Sequence, residues 1–272
     1  MDLDRYLARI GLDARPAPDA EGLALLQSAH RRAIGFENLD IPLGRGIRID
    51  SESVFDKLVV RGRGGYCFEQ NRLYADALAE LGFQTRPLLA RVRLGLPEGV
   101  TPPRTHMLLL ADLGGVPWIA DAGFGGSFVP PLTLEDGVQV ATRDGARHRL
   151  RKTGTPGSLG GEWRLERAAP GAQGVWQAQY TFDLSEVAAD DLEQGNHWTS
   201  TRPDTRFTTR HVASIALPDG FAGMSDRQLT VSQGAASETR TIADAADYAR
   251  TLREVFRIAL SEEDAAGLAL FA

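Results

Sequence analysis

The only cysteine of the chain, Cys67, lies in a glycine-rich stretch that favours a reactive thiol. The stretch is Arg61-Gly-Arg-Gly-Gly-Tyr-Cys67-Phe-Glu-Gln-Asn71, in which glycines permit tight turns and an apolar helical pattern begins at Phe68. Cys67 is therefore expected at or just inside a helix N-terminus, where free N–H groups and the helix dipole stabilise a thiolate and, later, an oxyanion. A lone cysteine is more often a small buried apolar residue, but this context favours a nucleophile.

A nucleophilic thiol needs a proton acceptor. The candidates are the five histidines of the chain: His30, His106, His148, His197 and His211. A geometric argument selects His106, because apolar strands around 106–111 and 116–121 are separated by Asp112-Leu-Gly-Gly115, which is typical of a hairpin loop. The second strand ends at an aspartate that can orient the imidazole.

The register of this hairpin decides whether the histidine and the aspartate meet. If Ala111 pairs with Val116, His106 lies directly opposite Asp121, and the carboxylate can hold the imidazole in one tautomer. A two-residue slip, with Gly114-Gly115 as the turn, leaves both side chains on one face as diagonal neighbours, whereas a one-residue slip separates them. The alternative interpretations are a strand-end histidine bonded to backbone and an aspartate that forms a turn.

Other motifs that bind nucleotides or metals do not fit the sequence. Gly62-x-Gly64 and Gly123-x-Gly125 lack the third glycine of a dinucleotide fingerprint, since Cys67 and Phe128 occupy its place. There is also no Walker lysine motif and no G-x-S-x-G elbow. One cysteine with scattered histidines has no recognisable ligand spacing, so we expect no metal.

Composition points to a soluble globular protein that can bury a sizeable core. The 272 residues are 43% hydrophobic and 24% charged, and the length favours two small domains or one large domain with an appendage. The net charge of −6 argues against a nucleic-acid partner. Residues 61–104 nevertheless hold seven arginines against four acidic residues, an excess that can steer a small anion or simply form a solvated face.

The sequence also predicts a cytoplasmic protein with no membrane partner. The opening MDLDRYLARI lacks the basic and then apolar run of a signal peptide, and the longest apolar stretch is far shorter than a membrane span. A single cysteine excludes an intrachain disulfide, which fits a reducing compartment.

Apolar periodicity predicts helices first, strands second and a mixture last. The expected helices are 3–10, 19–33, one from Ser51, 67–82, 243–258 and a short one after Ser261-Glu-Glu-Asp264. The expected strands are 86–94, 105–111, 116–121, 146–152, 162–167, 174–182, 211–217, 227–232 and 238–242, with a Gly-rich turn at 154–161. This order indicates three packed units.

Four motifs resemble, in the same order, those of the arylamine N-acetyltransferases. They are Phe36-Glu-Asn-Leu39, Arg63-Gly-Gly-Tyr-Cys-Phe-Glu69, Thr105-His106 before an apolar strand, and Asp121-Ala-Gly-Phe-Gly-Gly126. Gly35 stands where the family often has proline, and Gly62 stands where a bulkier or basic residue is common. Both departures affect the shape of the acceptor pocket more than the catalytic residues.

The resemblance implies an α+β multi-domain fold around a cysteine-protease-like Cys-His-Asp core. Residues 1–83 would form a helical bundle with the nucleophile, 84–187 a β-barrel with the histidine and aspartate, and 188–272 an interdomain helix and an α/β lid. It also implies a triad of Cys67, His106 and Asp121.

The resemblance further implies that acetyl-CoA acylates the cysteine and that an arylamine, arylhydrazine or hydrazide then takes the acetyl group, with ping-pong kinetics and a role in xenobiotic metabolism. Phe36, Phe124 and Phe207 would line the aromatic acceptor site, although a phenylalanine is more often a core residue.

Three alternatives stay open from the sequence. Amide synthases of the same fold use the same three residues on a carrier-bound acyl chain. A hydrolase of the papain or transglutaminase type would release free acid without an amine. A non-enzymatic acyl-CoA or aromatic-ligand binding protein would use Cys67 only for packing.

Overall fold

The computed structural model describes residues 1–154, 161–172, 174–234 and 236–271. Most of the Gly-rich turn expected at 154–161 lies outside these ranges. The helices are α1 Leu3–Ile10, α2 Ala20–Ala33, α3 Ser51–Phe55 with a π-helical turn Asp56–Val60, α4 Cys67–Glu80, α5 Ala189–Thr201, α6 Arg206–Thr209, α7 Ala245–Glu254 and α8 Glu262–Gly267. No described helix combines the length and the apolar character needed to cross a membrane.

The strands form two antiparallel sheets. They are β1 Phe36–Glu37, β2 Gln84–Val92, β3 His106–Leu113, β4 Val116–Ala120, β5 Leu132–Thr133, β6 Gln139–Ala141, β7 Arg147–Lys152, β8 Trp163–Ala168, β9 Gln177–Phe182, β10 Val212–Leu217, β11 Gly220–Ser225, β12 Gln228–Gln233 and β13 Ala236–Thr241. The predicted strands are present with ends shifted by a few residues; β1, β5, β6 and β11 were not predicted.

The first three helices and α4 share one apolar core with the inner face of the hairpin β3–β4. Helix α2 begins where the Asp19 carboxylate accepts a hydrogen bond from Gly22 N at 2.8 Å, and it ends where Ile34 turns extended. Its inward face is polar at Gln27, His30 and Arg31, all fully buried. Buried polar groups at this density need partners. Gln27 and Arg31 have theirs in the loop that holds Asp121, whereas His30 bonds to other buried side chains.

The larger sheet has eight strands in the order β5-β4-β3-β2-β9-β8-β7-β6. The segment between β5 and β6 spans the remaining gap, because Leu134 N donates to Pro117 O of β4 at 2.8 Å and Gly137 N donates to Leu150 O of β7 at 2.8 Å. The sheet is therefore a nearly closed barrel around its own apolar core. The expected fold class is confirmed at this level, as mixed helices and sheets with a barrel-like sheet.

The smaller sheet has the order β1-β10-β11-β12-β13 and packs against α7 and α8. Its first strand comes from the N-terminal part of the chain, with Phe36 opposite Ser214. Phe36 also bridges to Gly65, and Glu37 N donates to Gly65 O at 3.1 Å. The loop before Cys67 is thus tied through β1 to the C-terminal sheet. The division at 83 and 187 stays a prediction.

Candidate active site

Cys67 is the first residue of α4, as its sequence context predicts. The Glu69 carboxylate accepts a hydrogen bond from Tyr66 N at 3.0 Å, which occupies the start of the helix without using the thiol. The Cys67 side chain is 3% exposed, and its Sγ lies 3.5 Å from Thr105 O, next to the strand that begins at His106. The thiol therefore lies at a helix N-terminus and next to the start of β3.

Five buried charged residues hold the loop before Cys67, and the sequence did not single them out as a group. Lys57 Nζ lies 2.7 Å from both Asp40 and Glu69, and Arg63 lies 2.8 Å from Glu37 and 3.0 Å from Asp40. Burial lowers the pKa of Lys57, but the surrounding carboxylates raise it above its ordinary value. For Glu69 burial outweighs the attraction of the lysine and raises the pKa to about 7.

His106 and Asp121 meet, but not in the directly opposed register. Val116 pairs with Leu113 and Ala111 faces Trp118, so the register that would pair Ala111 with Val116 is not the one adopted. The turn is Gly114-Gly115, with φ of 66° and 86°, and such a two-residue loop matches the twist of the strands. The diagonal alternative is the one observed, and His106 Nε2 lies 2.7 Å from Asp121 Oδ2.

Three hydrogen bonds fix the carboxylate and the backbone of Asp121, a residue that is 1% exposed. Its Oδ1 accepts from Asn71 Nδ2 at 3.0 Å and from Gly123 N at 2.9 Å, while its backbone N donates to Gln27 Oε1 at 2.9 Å. Burial raises the pKa of Asp121, but His106 and these donors lower it below its ordinary value. The carboxylate is therefore ionised at neutral pH.

The imidazole of His106 is buried between two aromatic rings. The ring centroids of Phe124 and Tyr180 lie 5.3 and 5.1 Å from that of His106. Burial lowers the pKa of His106, but the charge and hydrogen bond of Asp121, together with the Cys67 thiol, raise it to about 10. Because Nε2 is bonded to Asp121, Nδ1 is the nitrogen left to interact with the Cys67 thiol.

The other four histidines lie elsewhere. His30 is fully buried between Tyr6 Oη at 2.8 Å and Gln70 Oε1 at 2.6 Å, and burial lowers its pKa to about 3. His148 is buried in the barrel, His197 is exposed on α5, and His211 lies 3.3 Å from Asp226. Among the described residues that line the cavity at Cys67, His106 is the only histidine.

A cavity of about 710 Å³ opens at Cys67 and His106. Phe36, Phe124 and Phe207 all line it, and the ring centroids of Phe36 and Phe207 are 5.9 Å apart. Asp121 does not line the cavity and lies behind His106. A volume of this size with aromatic walls accommodates a small aromatic molecule. In the described part of the chain, no group of three or more His, Cys, Asp or Glu side chains is arranged to hold a metal ion.

The excess of arginines in 61–104 is engaged with protein groups. Arg61 pairs with Asp56, Arg72 with Asp76, and Arg104 with Asp183. The other four contact carboxylates or backbone oxygens: Arg63, Arg86, Arg91 and Arg93. None of the seven lines the cavity at Cys67. Because all seven arginines already contact protein groups, they do not form a dedicated site for an anion.

Comparisons with known proteins show the family to which the chain belongs. A sequence model of the N-acetyltransferase family matches residues 19–265. The arylamine N-acetyltransferase of Escherichia coli (strain K12) is 36% identical over 263 residues, which cover 96% of this chain and 90% of that protein. The chain belongs to the arylamine N-acetyltransferase family. It is accordingly an acetyltransferase enzyme.

Solved structures of the family have the same fold as this acetyltransferase. The arylamine N-acetyltransferase from Salmonella typhimurium is 33% identical with a TM-score of 0.89, and the alignment covers 99% of this chain and 98% of that one. The Mycobacterium marinum arylamine N-acetyltransferase in complex with CoA is 34% identical with a TM-score of 0.88, and the alignment covers 98% of each chain.

Two kinds of site residue in this acetyltransferase escaped the sequence analysis. Asn71 donates to Asp121 and accepts from Ala122 N at 2.9 Å. Its position could have been predicted from the sequence, because it lies four residues after Cys67 and therefore on the same face of the helix. Gln27 and Arg31 reach the site from α2, more than 90 residues before the loop they contact. Nothing local in the sequence indicates that contact.

Proposed function

We propose that this enzyme moves the acetyl group of acetyl-CoA to the nitrogen of arylamines, arylhydrazines or hydrazides through a thioester on Cys67, with His106 and Asp121 completing a catalytic triad. The observation that supports this most directly is that Cys67, at a helix N-terminus, and His106 line one aromatic cavity, with Asp121 hydrogen-bonded to His106 at 2.7 Å behind it. The CoA complex of the Mycobacterium marinum relative supports CoA as the carrier of the donor group.

In the first half-reaction Cys67 acts as a thiolate and His106 as an imidazolium. The raised pKa of His106 favours this ion pair at neutral pH. The thiolate attacks the thioester carbonyl carbon, the new C–S bond forms as the bond to CoA breaks, and His106 gives its proton to the departing CoA sulfur. The backbone N–H groups of Cys67 and Phe68, at the start of α4, are the candidate donors to the oxyanion.

In the second half-reaction His106 acts as a base. His106 is already neutral, because it gave its proton to CoA. Once Cys67 is acetylated, its thiol no longer contributes the hydrogen bond and charge that raise the pKa of His106, so the imidazole stays neutral more readily. The amine nitrogen attacks the acetyl carbon, its proton passes to His106, and Cys67 leaves as the thiolate. The cycle returns to the starting ion pair without a metal or a further cofactor.

The aromatic walls of the cavity select the acceptor in this proposal. Phe36 and Phe207 lie close together on the cavity wall, and the buried Tyr66 ring packs against Phe207 with the ring centroids 5.7 Å apart. Flat rings pack well against such walls.

The experiment is incubation with acetyl-CoA alone, followed by mass spectrometry and then by addition of an aromatic amine. We expect one acetyl group per chain, located on Cys67, with one CoA released, and its discharge only when the amine is added. Cys67→Ser should keep its stability and lose turnover. Free CoA without an adduct and without an amine requirement would indicate a hydrolase. No CoA release would indicate a binding protein, and reaction only with a carrier-bound acyl chain would indicate an amide synthase.

A further inference from the structure

Helix α2 contacts the loop that holds Asp121 from the side opposite the cavity. Gln27 Oε1 accepts from Asp121 N at 2.9 Å, and Gln27 Nε2 donates to Val129 O at 2.6 Å. One helical turn later, Arg31 Nη2 donates to Phe124 O at 3.1 Å. Two side chains of one helix face therefore fix three points of the 121–129 loop.

Arg31 is an unusual residue to bury here. Its side chain is fully buried, and its Nη1 has no hydrogen-bond partner among the described residues. A buried guanidinium with an unfilled donor costs stability, and an apolar side chain of similar length would avoid that cost. Burial lowers the pKa of Arg31 to about 10, and within the described chain Asp121 is the carboxylate whose charge opposes this shift.

We propose that Gln27 and Arg31 are positioning residues for acetyl transfer: Gln27 fixes the backbone of Asp121, and Arg31 supplies the buried positive charge that balances Asp121 while His106 is neutral. The inference rests on the function proposed above. The Phe124 carbonyl that Arg31 holds belongs to the residue whose ring packs against His106, so Arg31 acts on the imidazole through both of its neighbours.

The charge of Arg31 matters most after Cys67 is acetylated. In the free enzyme the thiolate and the imidazolium balance each other, and Arg31 balances Asp121. In the acetyl-enzyme Cys67 is uncharged and His106 must be neutral to accept the amine proton, so Asp121 is left with Arg31 as its counter-charge. Without Arg31 the buried groups retain a proton to higher pH, and His106 is blocked as a base.

The ionisable groups that face the Asp121 carboxylate come from four elements. They are Arg31 from α2, Tyr74 from α4, His106 from β3 and Tyr180 from β9. Burial and the Asp121 charge raise the pKa of both tyrosines well above the ordinary value, so neither titrates near neutral pH. Arg31 is therefore the neighbour whose removal changes the charge balance without removing a reacting group.

The test compares Arg31→Met, which removes the charge and the hydrogen bond, with Arg31→Gln, which keeps a donor, and Arg31→Lys, which keeps the charge. Gln27→Met removes the backbone contact. The matched control is Arg32→Met, since Arg32 lies next along α2 and lines a separate surface cavity. Rapid mixing with acetyl-CoA gives the amplitude of CoA release, which counts competent sites, and its rate constant. Mixing the acetyl-enzyme with an aromatic amine at a series of pH values gives the discharge rate.

For Arg31→Met we expect about one CoA released per chain, a discharge rate lowered roughly 100-fold, and an acidic limb of the discharge profile about one pH unit higher. Arg31→Gln should show the same shift, Arg31→Lys should keep the wild-type profile, and Gln27→Met should lower the rate without a shift. Arg32→Met should match the wild type.

The inference is overturned if Arg31→Met and Arg31→Gln lower the amplitude of CoA release in proportion to their activity but leave the rate constants and the pH profile unchanged. That result would show a purely structural role. If Arg31→Met does not fold, the shift in Arg31→Gln and the rate in Gln27→Met decide by the same criteria. A wild-type enzyme that releases no CoA would instead refute the proposed function itself.

Discussion

Replacing Asp121 with asparagine should leave the fold intact but favour the wrong tautomer of His106, in which the ring proton points towards the Cys67 thiol. Asn71 Nδ2 and Gly123 N both donate to Oδ1 of Asp121, so the amide oxygen of the variant must occupy that position. Its NH₂ group then faces His106 Nε2, which can no longer donate and must be unprotonated. A neutral imidazole then has its proton on Nδ1, towards Cys67, where it cannot act as a base.

The expected loss of activity has two causes: the wrong tautomer of His106 and the loss of the Asp121 charge. A mis-set histidine tautomer in a catalytic triad lowers kcat by roughly 10⁴-fold. The Asp121 charge also raises the pKa of His106 against the effect of burial, so without it burial dominates and the pKa of His106 falls. The thiolate and imidazolium pair is then lost at neutral pH, and acetylation of Cys67 slows as well as its discharge.

The assay is single-turnover CoA release and amine-dependent discharge, with thermal unfolding to confirm the fold. The matched control is Asp226→Asn, because Asp226 also contacts a histidine, His211, but outside the cavity lining. It should retain activity within about twofold, as expected for a surface change. If the Asp121 variant keeps more than a tenth of the wild-type rate with an unchanged pH profile, the orientation argument is wrong.

Three further results are expected. A Cβ added at Gly123 would lie 2.9 Å from Cys67 Cα, so Gly123→Ala should displace the loop, lower kcat at least about tenfold and cost about 1–3 kcal/mol by denaturant unfolding; full activity would contradict the close contact. Lys57→Met leaves the buried Glu69 without its cation and Asp40 with Arg63 as its remaining buried partner, and should cost about 3–5 kcal/mol. The exposed Lys152→Met should change the free energy of unfolding by less than about 0.5 kcal/mol, and equal effects would refute the buried network. Because the pKa of folded His106 is raised to about 10, its contribution to stability is complete below pH 6.5 and is lost as the pH rises towards 10, by up to about 1.4 kcal/mol per pH unit. Unfolding measured across that range should show a shallower decline for His106→Gln, and identical declines would contradict the pairing.

The local elements of the site were predictable from short-range patterns. Glycines before Cys67 and the apolar periodicity after it place the cysteine at a helix start, and the helix begins there. The hairpin between His106 and Asp121 was predictable too, but two registers were compatible with contact. The choice between them depended on the positive φ of both turn glycines, which chain spacing does not reveal.

Contacts between distant parts of the chain were not predictable in the same way. Strand β1 was missed because two residues show no periodicity, and its partner β10 lies far along the chain. The pairing of Lys57 with Asp40 and Glu69 was missed for a related reason, since charged residues are expected at the surface and these three are buried.

The amino-acid sequence alone determined which side chains are candidates for the proposed chemistry, because a nucleophile, a base and a carboxylate are recognised by residue type and by the helix start and hairpin that short patterns encode. Tertiary packing decided how those side chains are charged and held. The pKa of His106 depends on burial and on Asp121, and hydrogen bonds with Gln27 and Asn71 hold Asp121 in place. Such shifts arise from distance and solvent exclusion in three dimensions, and these exist only once the helices and the sheet have come together.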